Sequence, residues 1–327
     1  MLPPFGLSAI FTQWQSAPVV TASVVVAAGL YLWGVLRVAR RHPVRPWPMW
    51  RTCMFFGGLA IVVLALQSGI GRYDDVLFWD HMIQHLMLVM AAPPLLIFGQ
   101  PITLLMHASR NPLHTWVKRA VRSKVASFLT WPVFGFAAYA VAIIVAHLTG
   151  LANLIARNQV AHDSEHVGFL VVGYLFFLPI IGSEPIRWRL SYPVRLVLLF
   201  LVMPVDTFTG LVLSGASANA PGLPPGPRPP WAGSAVGDLH AGGSVMWVGG
   251  DGIMFLLMMV VFLLWATDTR TVSRTKGWLE AARRATVAPT ANSPTADIDE
   301  DEDQLAAYNA YLNRLNHTGR DTPNAAL

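Results

Sequence analysis

The chain has 327 residues, of which 54% are hydrophobic and 13% charged, with a mean hydropathy of +0.47; a soluble domain carries nearer a quarter charged residues, so an integral membrane protein is indicated. The net charge of +5 calls for no nucleic-acid partner, because Lys and Arg alternate between loops as a topology signal does, helped by anionic lipid. The single cysteine, Cys53, excludes an internal disulfide, a CxxC metal pair and C-type haem attachment, which leaves soft-metal chemistry to His, Met or carboxylate.

Crossing about 30 Å of hydrocarbon takes roughly 20 apolar residues. Such runs fall at about 18–36, 50–70, 81–100, 129–149, 167–183, 194–214 and 244–266. The fold predicted is all-α: a polytopic bundle of seven transmembrane helices in one domain over residues 1–266. The first run follows a segment without Lys or Arg, is too long for a signal h-region and has no small-residue cleavage site after it, so it reads as an uncleaved anchor.

The loop after the first run carries Arg37, Arg40, Arg41, Arg45 and Arg51, the next only Arg72, and the third Arg110, Lys118, Arg119, Arg122 and Lys124. Arg157 stands alone, then come Arg187, Arg189 and Arg195, then Arg228 alone, and the remaining basic residues lie in the tail. Cytoplasmic loops hold the excess. The alternation predicts the N-terminus outside and the C-terminus in the cytoplasm.

The third run begins DHMIQHLMLVMAAPPLLIFGQP at Asp80. Pro93 and Pro94 remove the N–H groups that would bond the carbonyls of Val89 and Met90, which predicts a kink aiming the outer half of this helix. Between the sixth and seventh runs, PGLPPGPRPPWAG (221–233) reads as an extended outer connector. The tail, 267–327, is polar, with an acidic block at 297–303. Leu305, Tyr308, Tyr311, Leu312 and Leu315 recur there at helical spacing. This segment is either a short amphipathic helix that docks a partner or a solvated tail. No repeat, Walker loop, dinucleotide fingerprint or GxSxG elbow is present.

His42, His107, His114 and His317 fall on the cytoplasmic side. The other histidines share the outer side, and two pairs among them stand four residues apart where a helix enters: His81 with His85, and His162 with His166. That spacing places both rings of a pair on one helix face, one turn apart. Two such pairs on neighbouring helices would bring imidazoles together, and neutral imidazole suits Cu, Zn, Fe and Ni. Asp80, Asp163 and Glu165 stand ready as further ligands or as acceptors that orient the rings. His147 and His240 lie singly at the same level. The other reading is that these histidines are comfortable at a membrane interface, apolar edge inward and polar tip out.

Asp206 and Asp251 lie inside the sixth and seventh runs, roughly 10 Å below the outer surface at 1.5 Å per residue. An ionised Asp at the bilayer centre costs about 3 kcal/mol on insertion scales, so intramembrane acids are functional candidates by default. No Lys or Arg within the spans neutralises them. Thioethers favour Cu(I); Met82 and Met246 sit at the level of the histidines, while the other methionines read as packing.

Three stretches carry a family likeness: HMIQHLMLVMAAPPLLIFGQP (81–101), HDSEHVGFL (162–170) and DLHAGGSVMWVGG (238–250). Paired histidines with Pro-Pro and a terminal G-x-P, an H-x-x-E-H, and an outer Asp before small residues and Met-Trp resemble the CtaG-type assembly factors of cytochrome c oxidase. The resemblance implies a non-enzymatic membrane protein that handles copper during maturation of a haem–copper oxidase. By position it implies His81, His85, His162 and His166 as copper ligands, supported by Glu165 and Asp238. Its partners would be an oxidase subunit or a copper-donor protein, with membrane lipids around it. A copper importer using Asp206 and Asp251 as an inward path is a close variant. An intramembrane zinc hydrolase, with one coordination position left for water, and a metal-free scaffold are the other readings.

Overall fold

The computed structural model describes residues 2–44, 46–155, 157–217 and 228–268, together with Ala306, Asn309, Ala310, Leu312 and Asn313. Every regular element among them is helical. Six helices are long and apolar enough to cross a membrane: α1 (Pro18–Arg41), α2 (Met49–Tyr73), α3 (Phe78–Ala108), α5 (Gln159–Ile181), α6 (Tyr192–Ser214) and α7 (Ala235–Ala266). The fourth predicted run forms α4 (Pro132–Leu148), apolar but only 17 residues long. Residues Met1–Val261 make one compact unit and Phe262–Leu327 a second.

The helix starts follow local chemistry. Proline opens α1 and α4 at the first position, where its missing N–H costs nothing. Asn158 caps α5 by accepting from the N–H of Val160 (2.9 Å) and Ala161 (3.1 Å), and Ser234 caps α7 by accepting from Gly237 N (3.0 Å). These caps start both helices earlier than hydropathy predicts. His162 and His166 therefore lie within α5, and His240 lies inside α7 rather than before it. The added turns are polar or glycine-rich, and they are held by packing that an apolar count does not register.

The Pro-Pro step of α3 is accommodated by more than a kink. Met87–Ala91 winds as a π-turn, with the Ala92 N–H bonding the Met87 carbonyl, and Pro93 and Pro94 then occupy the opening of a fresh α segment, Ala92–Phe98. The carbonyl of Val89, deprived of its usual donor, faces Gly173 on α5, where a Cβ would sit 2.1 Å from that oxygen. Gln100 then takes a left-handed backbone, φ 49°, and the last segment of α3, Pro101–Ala108, is capped by Glu184, which accepts from Ile102 N (3.0 Å) and Thr103 N (2.8 Å). Burial pushes the Glu184 carboxyl up.

Lipid tails are as apolar as leucine, so close packing rather than burial from water has to hold such helices together. On α6 and α7, Gly210 and Gly243 face each other's carbonyls so closely that a Cβ on Gly210 would lie 2.7 Å from Gly243 O. Tyr139, Phe176, Phe177, Leu199 and Met254 fill the centre among α4, α5, α6 and α7, each fully or nearly fully buried.

In the second unit, the Thr267 hydroxyl donates to the Leu263 carbonyl at 2.8 Å, and Leu312 is helical. The other residues of the predicted tail helix, Leu305, Tyr308, Tyr311 and Leu315, lie outside the described residues, as do the acidic block 297–303 and connector residues 218–227.

Candidate metal centre

The centre begins with the entry of α3. Its first N–H groups have no partner within the helix, and Asp238 of α7 reaches across to take two of them, Phe78 N at 2.8 Å and Trp79 N at 3.1 Å. Arg228 Nη2 donates to the same carboxylate at 2.8 Å. This borrowed cap fixes the first turn of α3, which carries His81; His85 follows one turn on, with ring centroids 4.0 Å apart. Asp238→Asn is expected to lower stability by about 2 kcal/mol, because buried donors lose an ionised acceptor; thermal unfolding in detergent measures it, and an unchanged midpoint would show that the cap does not hold α3.

On α5, His162 and His166 stand 4.4 Å apart, centroid to centroid. The two helices bring the pairs together: His81 stacks on His162 at 5.1 Å, with Nδ1 of the first 3.4 Å from Nε2 of the second. His147, at the end of α4, joins them through its Nε2, 3.1 Å from Nδ1 of His85. Glu165 lies between helices, its Oε2 at 3.5 Å from His85 Nε2 and 3.8 Å from His81 Nε2.

The protons follow from the network. A carbonyl only accepts, so His147 Nδ1 must donate to Ile143 O at 2.8 Å, which makes Nε2 of a neutral His147 an acceptor. His85 then donates from Nδ1, and its Nε2 turns a bare lone pair toward the Glu165 oxygen. His85 Nε2, Glu165 Oε2 and His166 Nε2 are all buried without a hydrogen-bond partner. Buried polar atoms are nearly always satisfied. A lone pair facing a carboxylate oxygen at this range is stable only with a proton or a cation between them.

Two overlapping sets of ligand atoms result, each with all its members within 4.8 Å of one another: Asp74, His81, His162 and His166, and His81, His85 and Glu165. Asp74 belongs to the loop between α2 and α3; its Oδ2 accepts from Gln84 Nε2 at 2.9 Å and lies 3.9 Å from His162 Nε2. Burial, with the Asp75 carboxylate beside it, pushes its carboxyl up to about 8, and a bound cation would keep it ionised. A cavity of about 410 Å³ opens onto the first set, lined by Asp74, Asp75, Gln84, His162, Asp163 and His166.

Other residues singled out in the sequence lie elsewhere. Asp163 is exposed on the cavity rim and accepts from Gln159 Nε2 at 3.0 Å. Asp80 is wholly buried with neither oxygen paired, outside both sets. His240 Nε2 donates to Ala216 O at 2.8 Å, and Asp238 is spent on its cap. Met82 and Met246 are buried in the apolar core. Asp206 accepts from Tyr139 Oη at 3.2 Å on both oxygens, and Asp251 accepts from Thr207 Oγ1 at 2.8 Å. Asp74, Tyr139 and Glu184 escaped sequence reading. Asp74 left one faint signal, an Asp-Asp step shortly before His81.

Residues 29–268 match the family of cytochrome c oxidase caa3 assembly factors, Caa3_CtaG. The chain belongs to this family. All members of both ligand sets fall inside the matched stretch. The chain is also similar to uncharacterized proteins of Mycobacterium bovis and Mycobacterium tuberculosis, each 30% identical over 97% of this chain, and of Mycobacterium leprae, 29% identical over 97%. It spans about half the length of these relatives, 46% of the first two and 47% of the third. No solved structure matches it.

Proposed function

We propose that this member of the caa3 assembly-factor family binds copper in the histidine cluster and passes it toward a haem–copper cytochrome c oxidase in the bacterial plasma membrane. The observation that carries the reading is the set of buried, unpartnered ligand atoms on two helices, His85 Nε2 facing Glu165 Oε2, with His166 Nε2 in the adjoining set beside His81. The donors are imidazole and carboxylate, which suit copper and zinc, and the family's assembly of an oxidase favours copper as cargo. No bond in the cargo is made or broken by a protein nucleophile; ligand exchange does the work, with an oxidase subunit or a copper-donor protein as the exchange partner.

In this reading α4 also crosses. Its 17 residues rise about 26 Å at 1.5 Å each, enough for a hydrocarbon layer slightly thinned around it. Seven crossings with the Lys and Arg excess inside put the N-terminus and the histidine cluster on the outer face and the tail in the cytoplasm.

The test is metal analysis of the purified full chain after growth with copper and zinc together. Close to one copper per chain is expected. A chain carrying zinc instead, or no metal after reconstitution with copper, would sink the reading.

A further inference from the structure

We infer that the cluster is two adjoining positions for a divalent cation, an entry position and a holding position, and that His81 is the ligand they share. The inference rests on the copper reading above and adds a route to it. Its starting point is that His81 presents its two ring nitrogens to different neighbours: Nδ1 lies 3.4 Å from His162 Nε2, and Nε2 lies 3.8 Å from Glu165 Oε2. One imidazole therefore belongs to both sets of ligand atoms.

The two sets differ in how they meet the cavity. Asp74, His162 and His166 line the cavity, whereas His81, His85 and Glu165 do not. Asp75 and Asp163 also line it, so an incoming cation meets negative charge first. Behind the second set, His85 is fixed by His147 and His147 by the Ile143 carbonyl, which holds His85 Nε2 toward Glu165. The entry position thus borders the cavity and is carboxylate-flanked, while the holding position lies off that cavity and is backed by oriented imidazoles. Both offer nitrogen and oxygen only; Cys53, on α2, is exposed and outside both. Nitrogen and oxygen donors fit a divalent ion. Passage from one position to the other breaks the ion's bonds to Asp74, His162, His166 and His81 Nδ1 and makes bonds to His85, Glu165 and His81 Nε2, with the ring proton of His81 moving from Nε2 to Nδ1, so that one imidazole serves the two positions in turn.

The full chain in detergent, loaded with Cu2+, tests this by electron paramagnetic resonance and by rates of loading and of release to a chelator. Asp74→Asn is expected to leave the final spectrum unchanged and to slow loading about tenfold. Glu165→Gln is expected to shift the spectrum and to speed release about tenfold, because the ion stalls at the entry. His81→Ala is expected to abolish both behaviours. Thermal unfolding of each variant shows that the fold survives. If Asp74→Asn and Glu165→Gln give the same spectrum and the same rates, there is one position and the inference fails while the copper reading stands. Should the wild type refuse Cu2+ yet bind Co2+, the copper reading falls, and the cobalt absorption bands of the same variants decide between one position and two. A wild-type chain that binds neither ion overturns both.

Discussion

A chain carrying His81→Ala and His85→Ala together is expected to lose copper binding altogether while keeping its fold. One set of ligand atoms loses His81 and the other loses both imidazoles, leaving Glu165 alone. Even an outer-shell group is worth about 10–100-fold in metal affinity, so losing one direct ligand from the first set and two from the second should take binding below any useful level. Stability should change little. Removing His81 takes away the long 3.4 Å partner of His162 Nε2, and removing His85 leaves His147 Nε2 without its bond, together a cost of about 1–3 kcal/mol. Copper per chain after dialysis, alongside far-ultraviolet circular dichroism, measures both halves. Copper retained at the wild-type level would mean that the rings merely decorate the bundle, as an interfacial histidine does.

Gly173→Ala is expected to destabilise the protein by about 3 kcal/mol, the upper end of what overpacking costs. The added methyl would lie 2.1 Å from the Val89 carbonyl oxygen and 2.9 Å from Pro93 Cγ. The nearest of these is backbone, which cannot swing aside as a side-chain tip can. The whole α3–α5 contact must open, and the histidine pairs ride on those two helices. Gly168→Ala, one and a half turns earlier on α5, has nothing within 4 Å of the new Cβ and should be neutral or stabilising by up to about 1 kcal/mol through helix propensity. Midpoints of thermal unfolding for the two variants in the same detergent decide the matter; equal shifts would show that the α3–α5 contact is not tight.

What could be read from the sequence was whatever repeats along one chain segment. Apolar length marked the seven helical runs, and the spacing of four marked the two histidine pairs. The start of α7 was misplaced because Ala235–Ser244 is rich in glycine and polar residues, and only its packing against α3 and α6 keeps it helical. Tyr139 has no local pattern and Asp74 only an Asp-Asp step; each is defined by a partner on another element, Asp206 and Gln84 respectively. Asp238, which the family likeness implied as an acid supporting the copper ligands, accepts from Phe78 N, Trp79 N and Arg228. Its geometry comes from α3 meeting α7, and no motif read in one segment contains that. The Pro-Pro step foretold freed carbonyls but not the π-turn or the glycine on α5 that lets a second helix approach them.

The cap on α3 comes from a residue 160 positions further along the chain. During synthesis, His81 and His85 leave the ribosome long before Asp238 exists. A nascent chain halted before α7 therefore has all four paired imidazoles but lacks the carboxylate that pins the first turn of α3. On the copper reading proposed above, a pinned α3 arrives only with the last helix, and a truncated or stalled product would be born with a loosened ligand set.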